Sequence, residues 1–134
     1  MRYAAIDIGS NAVRLLIADI IQNDKEISFK KNTLIRVPLR LGDDAFLEKE
    51  ISEKKTEELV KTMIAFRNLM DVYKVSDYMA CATSAMREAK NGQNIVQKIK
   101  NLAAIDLEIV EGQREANIIY ASHIELSLER KKNY

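Results

Sequence analysis

Tyr3-Ala4-Ala5-Ile6-Asp7-Ile8-Gly9-Ser10-Asn11-Ala12-Val13-Arg14-Leu15-Leu16-Ile17 is the stretch on which the reading of the whole chain turns. An apolar run, Tyr3 to Ile6, delivers a carboxylate into a glycine turn, and a second apolar run, Val13 to Ile17, leads away from it. That is the pattern of two strands joined by a tight hairpin. The turn brings backbone N–H groups and a negative side chain together, which are the parts of a metal-phosphate site. Gly9 is expected to take the positive backbone angle of a tight turn and, lacking a side chain, to let an anion approach the amides of Ser10 and Asn11. Ser10 and Asn11 offer polar side chains to the same anion. Asp7 repels phosphate, so its expected role is to hold a divalent cation or its water shell against the phosphate oxygens. Asp, Gly, Ser and Asn are also ordinary turn formers, so the pentapeptide leaves a plain hairpin open and the rest of the chain must decide.

With 134 residues and 47% hydrophobic content, the chain is long enough to form one domain around a buried core. Twenty-one basic against twenty acidic side chains give a net charge of +1. No global field therefore attracts nucleic acid or an anionic membrane, neither is expected as a partner, and any anion binding must be local. The single cysteine, Cys81, has no partner for an internal disulfide and lies in an apolar run, which fits a reducing cytoplasm. No segment approaches the roughly 18 apolar residues of a membrane span, and the N-terminus lacks a charged leader, so a soluble, cytoplasmic protein is expected. One histidine, His123, leaves little scope for a zinc centre or a Ser-His-Asp triad.

Outward from the hairpin, residues 3–8 and 13–21 read as strands, and 26–35 as a third strand after a turn at Asn23-Asp24. Pro38 and Gly42 interrupt the next stretch, so 37–50 reads as a loop with an edge segment. Ser52-Glu53-Lys54-Lys55 opens a long helix to about residue 74, whose core face is the stripe Leu59, Met63, Phe66 and Met70. Tyr78 to Ala82 is a short buried strand, Thr83-Ser84 a turn or cap into a short helix over 85–89, and Asn91-Gly92 its end. A helix over about 93–104, a strand over 107–110 and a helix over about 112–129, carrying His123, complete the order. Three antiparallel strands followed by alternating helix and strand predict an α/β fold: a mixed five-stranded sheet with helices on both faces. This succession resembles the ribonuclease-H-like half-domain of actin, heat-shock-70 and sugar-kinase ATPases. In open sheets of this kind ligands gather at the carboxyl ends of parallel strands, so the Asp7 turn, Thr83-Ser84 and Glu111-Gly112 are expected on one rim.

Arg87 lies four residues after Thr83, where its guanidinium fork can reach a phosphate whose other oxygens meet the hydroxyls and amides of Thr83 or Ser84. The same residues also suit a helix cap with Arg87 paired to Glu88 or a neighbour. Glu115 falls in the first turn of the last helix, where a carboxylate facing the rim can hold and deprotonate an attacking water. An acid there is also what the helix dipole favours.

Residues 5–17, Ala82-Thr83-Ser84-Ala85-Met86-Arg87-Glu88-Ala89 and Gly112-Gln113-Arg114-Glu115-Ala116, in this order, resemble the exopolyphosphatase / guanosine pentaphosphate phosphohydrolase (Ppx/GppA) family. Arg40-Leu41-Gly42 resembles the family's loop after the third strand, which helps to close the site. The resemblance implies hydrolysis of the terminal phosphate of inorganic polyphosphate or of pppGpp, with magnesium (Mg2+) and an attacking water. It implies Asp7 as the metal residue, Gly9, Ser10, Asn11, Arg40, Thr83, Ser84 and Arg87 as phosphate and substrate residues, and Glu115 as the catalytic base. Two departures stand out: Gly112-Gln113-Arg114-Glu115-Ala116 where the family has Gly-x-Glu-Glu-Ala, with Glu111 replacing the usual small residue before the glycine, and Gly42-Asp43-Asp44 without the loop's second glycine. The family is pseudo-twofold, its second half opening on an Asp-x-Gly-Gly-Gly-Ser turn that this sequence lacks. Residues 1–134 are therefore expected to form a single N-terminal half-domain, with the missing second half-domain as partner, a homodimer at full length, and little activity alone. The alternatives are a sugar- or acetate-kinase-like half-domain transferring phosphate from ATP, a ribonuclease-H-type nuclease lacking its further strand carboxylates, and a non-catalytic phosphate- or nucleotide-binding regulatory module.

Overall fold

The computed structural model describes residues 1–23, 26–112 and 117. The two runs around the glycine turn form β1 (Arg2–Ile8) and β2 (Val13–Asn23), followed by β3 (Glu26–Val37). Then come α1 (Leu41–Leu47), α2 (Glu53–Val72), β4 (Asp77–Ala82), α3 (Ser84–Glu88), α4 (Gly92–Ala103) and β5 (Glu108–Ile109). The sheet order is β3-β2-β1-β4-β5. The first three strands are antiparallel, β4 runs parallel to β1, and β5 parallel to β4. The fold is thus the mixed five-stranded α/β sheet that the order of elements predicts.

Register explains where the core lies. Ala4, Ile6 and Ile8 stand opposite Ile17, Leu15 and Val13 of β2, and opposite Tyr78, Ala80 and Ala82 of β4. Because side chains alternate along a strand, these positions share one face. Against that face pack Leu41 and Ala45 of α1, Met86 of α3, Ile95 and Ile99 of α4, and the α2 stripe Leu59, Met63, Phe66 and Met70. Ser52 caps α2 as its sequence requires, its hydroxyl accepting from the Lys55 N–H at 3.2 Å. All four described helices therefore cover one face. Apart from residues 112 and 117, the helix expected over 112–129 lies outside the described residues, and with it Glu115 and His123; Asp24 of the turn after β2 does too. Among the described residues the opposite face carries no helix and holds an open groove of about 460 Å³ along Tyr3, Ala5, Arg14, Leu16, Phe29 and Leu34. β3 is an edge strand with Lys30 and Lys31 exposed along it, charges that oppose pairing with another chain.

The chain departs from expectation in three places. The stretch 37–50 contains the helix α1 rather than a loop. Gly42 is no breaker there: a Cβ on it would lie 2.9 Å from the Ser10 Cβ and 3.0 Å from the Phe46 ring, so its small size serves close packing of α1 on the β1–β2 turn. Gly9 does not take a positive φ, nor does any described glycine. What favours glycine at that position is again proximity, since a Cβ would lie 3.1 Å from the Ala12 carbonyl oxygen, the acceptor of the Gly9 N–H at 3.0 Å. Asn91-Gly92 opens α4 rather than closing α3, and the Asn91 side chain clamps the buried Ile51 backbone. Its Oδ1 accepts from the Ile51 N–H at 3.1 Å and its Nδ2 donates to the Ile51 carbonyl at 2.9 Å. Asn91→Ala strips both partners from the backbone of a residue that is 1% exposed, which is expected to cost about 2 kcal/mol. Thermal unfolding of the full-length protein checks this, and an unchanged Tm would show that water replaces the clamp.

Candidate functional site

β1 carries Asp7 and Ile8 to its carboxyl end, where the Gly9 turn begins. Since β4 runs parallel to β1, the residues after Ala82 emerge on the same rim, and the Thr83 N–H donates to the Ile8 carbonyl at 3.1 Å. The hydroxyls of Ser10 and Ser84 share a hydrogen bond of 2.8 Å. From the α1 side, the Arg40 N–H donates to the Asn11 carbonyl at 3.1 Å and the Gly42 N–H to the Ser10 carbonyl at 2.9 Å. From the β5 side, the Val110 N–H donates to the Ala82 carbonyl at 2.9 Å. Parallel strand order thus converges the Asp7 turn, the Arg40 loop, Thr83-Ser84 and Glu111 on one rim, the place where such sheets receive ligands.

Asp7 lies on the sheet face away from the helices and is 8% exposed. Its Oδ2 accepts from Arg14 Nη2 at 2.9 Å. Its Oδ1 is buried without a hydrogen-bond partner among the described residues. A bare buried carboxylate oxygen is costly, and either a hydrogen-bond donor or a cation satisfies it. Among the described residues no three His, Cys, Asp or Glu side chains cluster as a metal cage. Magnesium suits such a site, because it takes one or two carboxylates and fills its octahedron with water and phosphate oxygens. Arg14 is a site neighbour that the reading of the sequence passed over. Its signal was present, a cation at the strand position paired with Asp7 across the hairpin.

Thr83 occupies the N-cap position of α3, yet its side chain makes no cap hydrogen bond, so the hydroxyl is not taken up by the helix. Arg87 donates through Nη1 to the carbonyls of Val110, at 3.3 Å, and Glu111. It also stands 3.6 Å from a Glu88 carboxylate oxygen and 3.9 Å from one of Glu111. The pairing with Glu88 that the sequence left open is present, on a side chain that remains one-third exposed. Arg40, at the N-cap of α1, sits in the left-handed region with φ 54 and ψ 50. Its neighbour Asp44 accepts from the Ser52 N–H at 3.0 Å and pairs with Lys55. The hydrogen bonding to Ser52 first, and then the Lys55 ammonium, hold the Asp44 carboxyl below the usual carboxylate range.

The described residues thus form an open α/β domain whose parallel strand ends gather a carboxylate, hydroxyls and the Arg87 guanidinium. The chain belongs to the Ppx/GppA phosphatase family, which matches residues 20–132. It is 31% identical over 118 residues to a bifunctional 3-dehydroquinate synthase/phosphatase of Fusobacterium nucleatum subsp. nucleatum, covering 86% of this chain and 18% of that protein. It is 26% identical over 118 residues to a guanosine-5'-triphosphate,3'-diphosphate pyrophosphatase of Pseudoalteromonas atlantica, covering 88% of this chain and 23% of that protein. A crystal structure of an exopolyphosphatase from Cytophaga hutchinsonii superposes with a TM-score of 0.77 at 32% identity, covering 87% of this chain and 36% of that one. The chain therefore spans only a minor part of the length of each of these relatives. Among its described residues, no helix is long and apolar enough to cross a membrane.

Proposed function

We propose that this chain is the N-terminal domain of a cytoplasmic phosphohydrolase that releases the terminal phosphate of inorganic polyphosphate or of pppGpp. The observation that carries this reading is the convergence of the Asp7 turn and Thr83-Ser84 through the 2.8 Å hydroxyl contact, in a Ppx/GppA family member. Relatives named for exopolyphosphatase and for pyrophosphatase action on guanosine-5'-triphosphate,3'-diphosphate support the two substrates. In this reading the backbone amides of Ser10, Asn11 and Ser84 and the hydroxyls of Ser10, Thr83 and Ser84 bind the non-bridging oxygens of the terminal phosphate. Gly9 leaves room for that approach. Arg87 exchanges the carbonyls of Val110 and Glu111 for phosphate oxygens and spreads the charge that develops on them. Glu115 holds the attacking water and takes its proton as the water oxygen bonds in line to phosphorus, and the bond to the shortened chain, or to ppGpp, breaks. Asp7 Oδ1 would hold magnesium, which supplies charge neutralisation at the phosphate oxygens. The second half-domain supplies the opposing wall of the cleft, and the full-length protein is a homodimer.

Phosphate release by the full-length protein with magnesium, from polyphosphate and from pppGpp, tests the reading and ranks the substrates. Glu115→Gln is expected to lower release at least about 100-fold, the contribution of a positioned general base. Release that survives this change removes Glu115 from the mechanism. Release from neither substrate turns the assignment toward a kinase relative or a binding module.

A further inference from the structure

Arg40 sits in the left-handed region, a conformation disfavoured for a residue bearing a Cβ. Such a peptide persists only where its surroundings over-determine it. Here the surroundings are specific. The Arg40 N–H is held by the Asn11 carbonyl at 3.1 Å, and the Arg40 carbonyl accepts from the Asp43 N–H at 3.2 Å. The same carbonyl accepts from Lys55 Nζ at 2.6 Å. Lys55 sits in the first turn of α2, and its own placement is fixed from both ends. Its N–H donates to the capping Ser52 hydroxyl at 3.2 Å, and its ammonium stands 3.5 Å from Asp44 Oδ1. Asp44 is in turn tied through Oδ2 to the Ser52 N–H at 3.0 Å. The side chains of Lys55 and Asp44 keep only 22% and 20% of their surface exposed, unusual for a pair of residue types that normally remain in water. Arg40, by contrast, is exposed, and its guanidinium has no partner among the described residues. The structure thus commits an ion pair to the carbonyl of a residue whose backbone is tied to the β1–β2 turn, and among the described residues the guanidinium of that residue is unpaired.

We infer that Lys55 is a positioning residue whose ammonium locks the left-handed Arg40 peptide against the β1–β2 turn, presenting the Arg40 guanidinium to the phosphate groups of the substrate. The inference rests on the phosphohydrolase reading for the identity of that substrate. A lysine suits the task because its three donors serve the Arg40 carbonyl and Asp44 together, which a neutral amide cannot do with equal charge. Arg40 binds and does not react, so loosening its peptide weakens substrate capture and leaves the chemical step alone.

The test uses the full-length protein with polyphosphate. Lys55→Gln is expected to raise KM about tenfold with kcat within about twofold, and Lys55→Arg to restore most of the loss. Arg40→Ala should raise KM as much, and Lys55→Gln should add little in the Arg40→Ala background, because the two act as one unit. Amide hydrogen exchange at Arg40 and Gly42 should accelerate in Lys55→Gln, a readout that needs no turnover. An unchanged KM, an effect that adds fully to that of Arg40→Ala, or unchanged exchange at both amides each overturns the inference. If the wild-type protein releases no phosphate, the phosphohydrolase reading fails. Exchange together with calorimetric polyphosphate binding by the wild type and the two variants then still decides the role of Lys55.

Discussion

Asp7→Asn in the full-length protein is expected to lower kcat/KM for phosphate release about 1,000-fold or more, the several kcal/mol that a bound metal ion contributes to such a transition state. The substitution is nearly isosteric. An amide oxygen at the Oδ2 position can still accept from Arg14, which holds the wild-type carboxylate at 2.9 Å. What disappears is the negative charge on the buried Oδ1, the atom without a partner among the described residues. The magnesium concentration for half-maximal activity should therefore rise more than about tenfold along with the loss of rate. Stability should move the other way or not at all. Removing a buried carboxylate charge relieves its desolvation, and the Arg14 pair that offsets it, on a side chain that is half exposed, contributes little, about 0–1 kcal/mol. In the presence of a chelator, the Tm of the variant is thus expected to match or exceed that of the wild type. Activity within tenfold of wild type and an unchanged magnesium requirement would remove Asp7 from the metal site.

Phe66→Ala is expected to destabilise the domain by about 3–5 kcal/mol, the range for losing a buried aromatic ring together with the cavity it leaves. Phe66 lies within α2 and is 2% exposed, in the cluster that joins α2 to the sheet. Ile64, two residues earlier on the same helix, is 38% exposed, and Ile64→Ala should stay within about 0.5 kcal/mol of wild type. The pair isolates burial from helix propensity, since both variants introduce the best helix former into the same helix. The measurement is the unfolding transition of this domain in the full-length protein. Equal shifts for the two variants would show that α2 does not pack as described.

The elements most legible in the sequence were those with a strong local pattern. The apolar runs in 3–8 and 13–21 and the stripe Leu59, Met63, Phe66 and Met70 are each legible within a short span of sequence. The capping signal at Ser52 worked for the same reason: it is local, needing only the chain within three residues of the cap. Thr83-Ser84 before Arg87 was legible as a motif, but its contact with Ser10 was not, because a hydroxyl pair 74 residues apart exists only once β1 and β4 lie side by side. Gly42 misled because glycine weakens a helix when judged alone. In place it is the residue that lets α1 approach the β1–β2 turn, where a Cβ would sit 2.9 Å from the Ser10 Cβ. Asn91 misled in a similar way, for a turn-former by composition became a long-range clamp on Ile51.

Local pattern alone therefore determined the class of fold, the order of the strands along the chain, the core stripe and the family, because hydrophobic period, caps and contiguous motifs are written within a few residues of one another. Tertiary structure alone decided that the Ser10 and Ser84 hydroxyls meet at 2.8 Å, that Arg14 takes one Asp7 oxygen and leaves the other without a partner among the described residues, and that Lys55 holds the Arg40 carbonyl. Those contacts depend on parallel pairing of β1 with β4 and on the packing of α1 against the first turn, and the free energy that selects them is spread over the whole core rather than carried by the residues that touch.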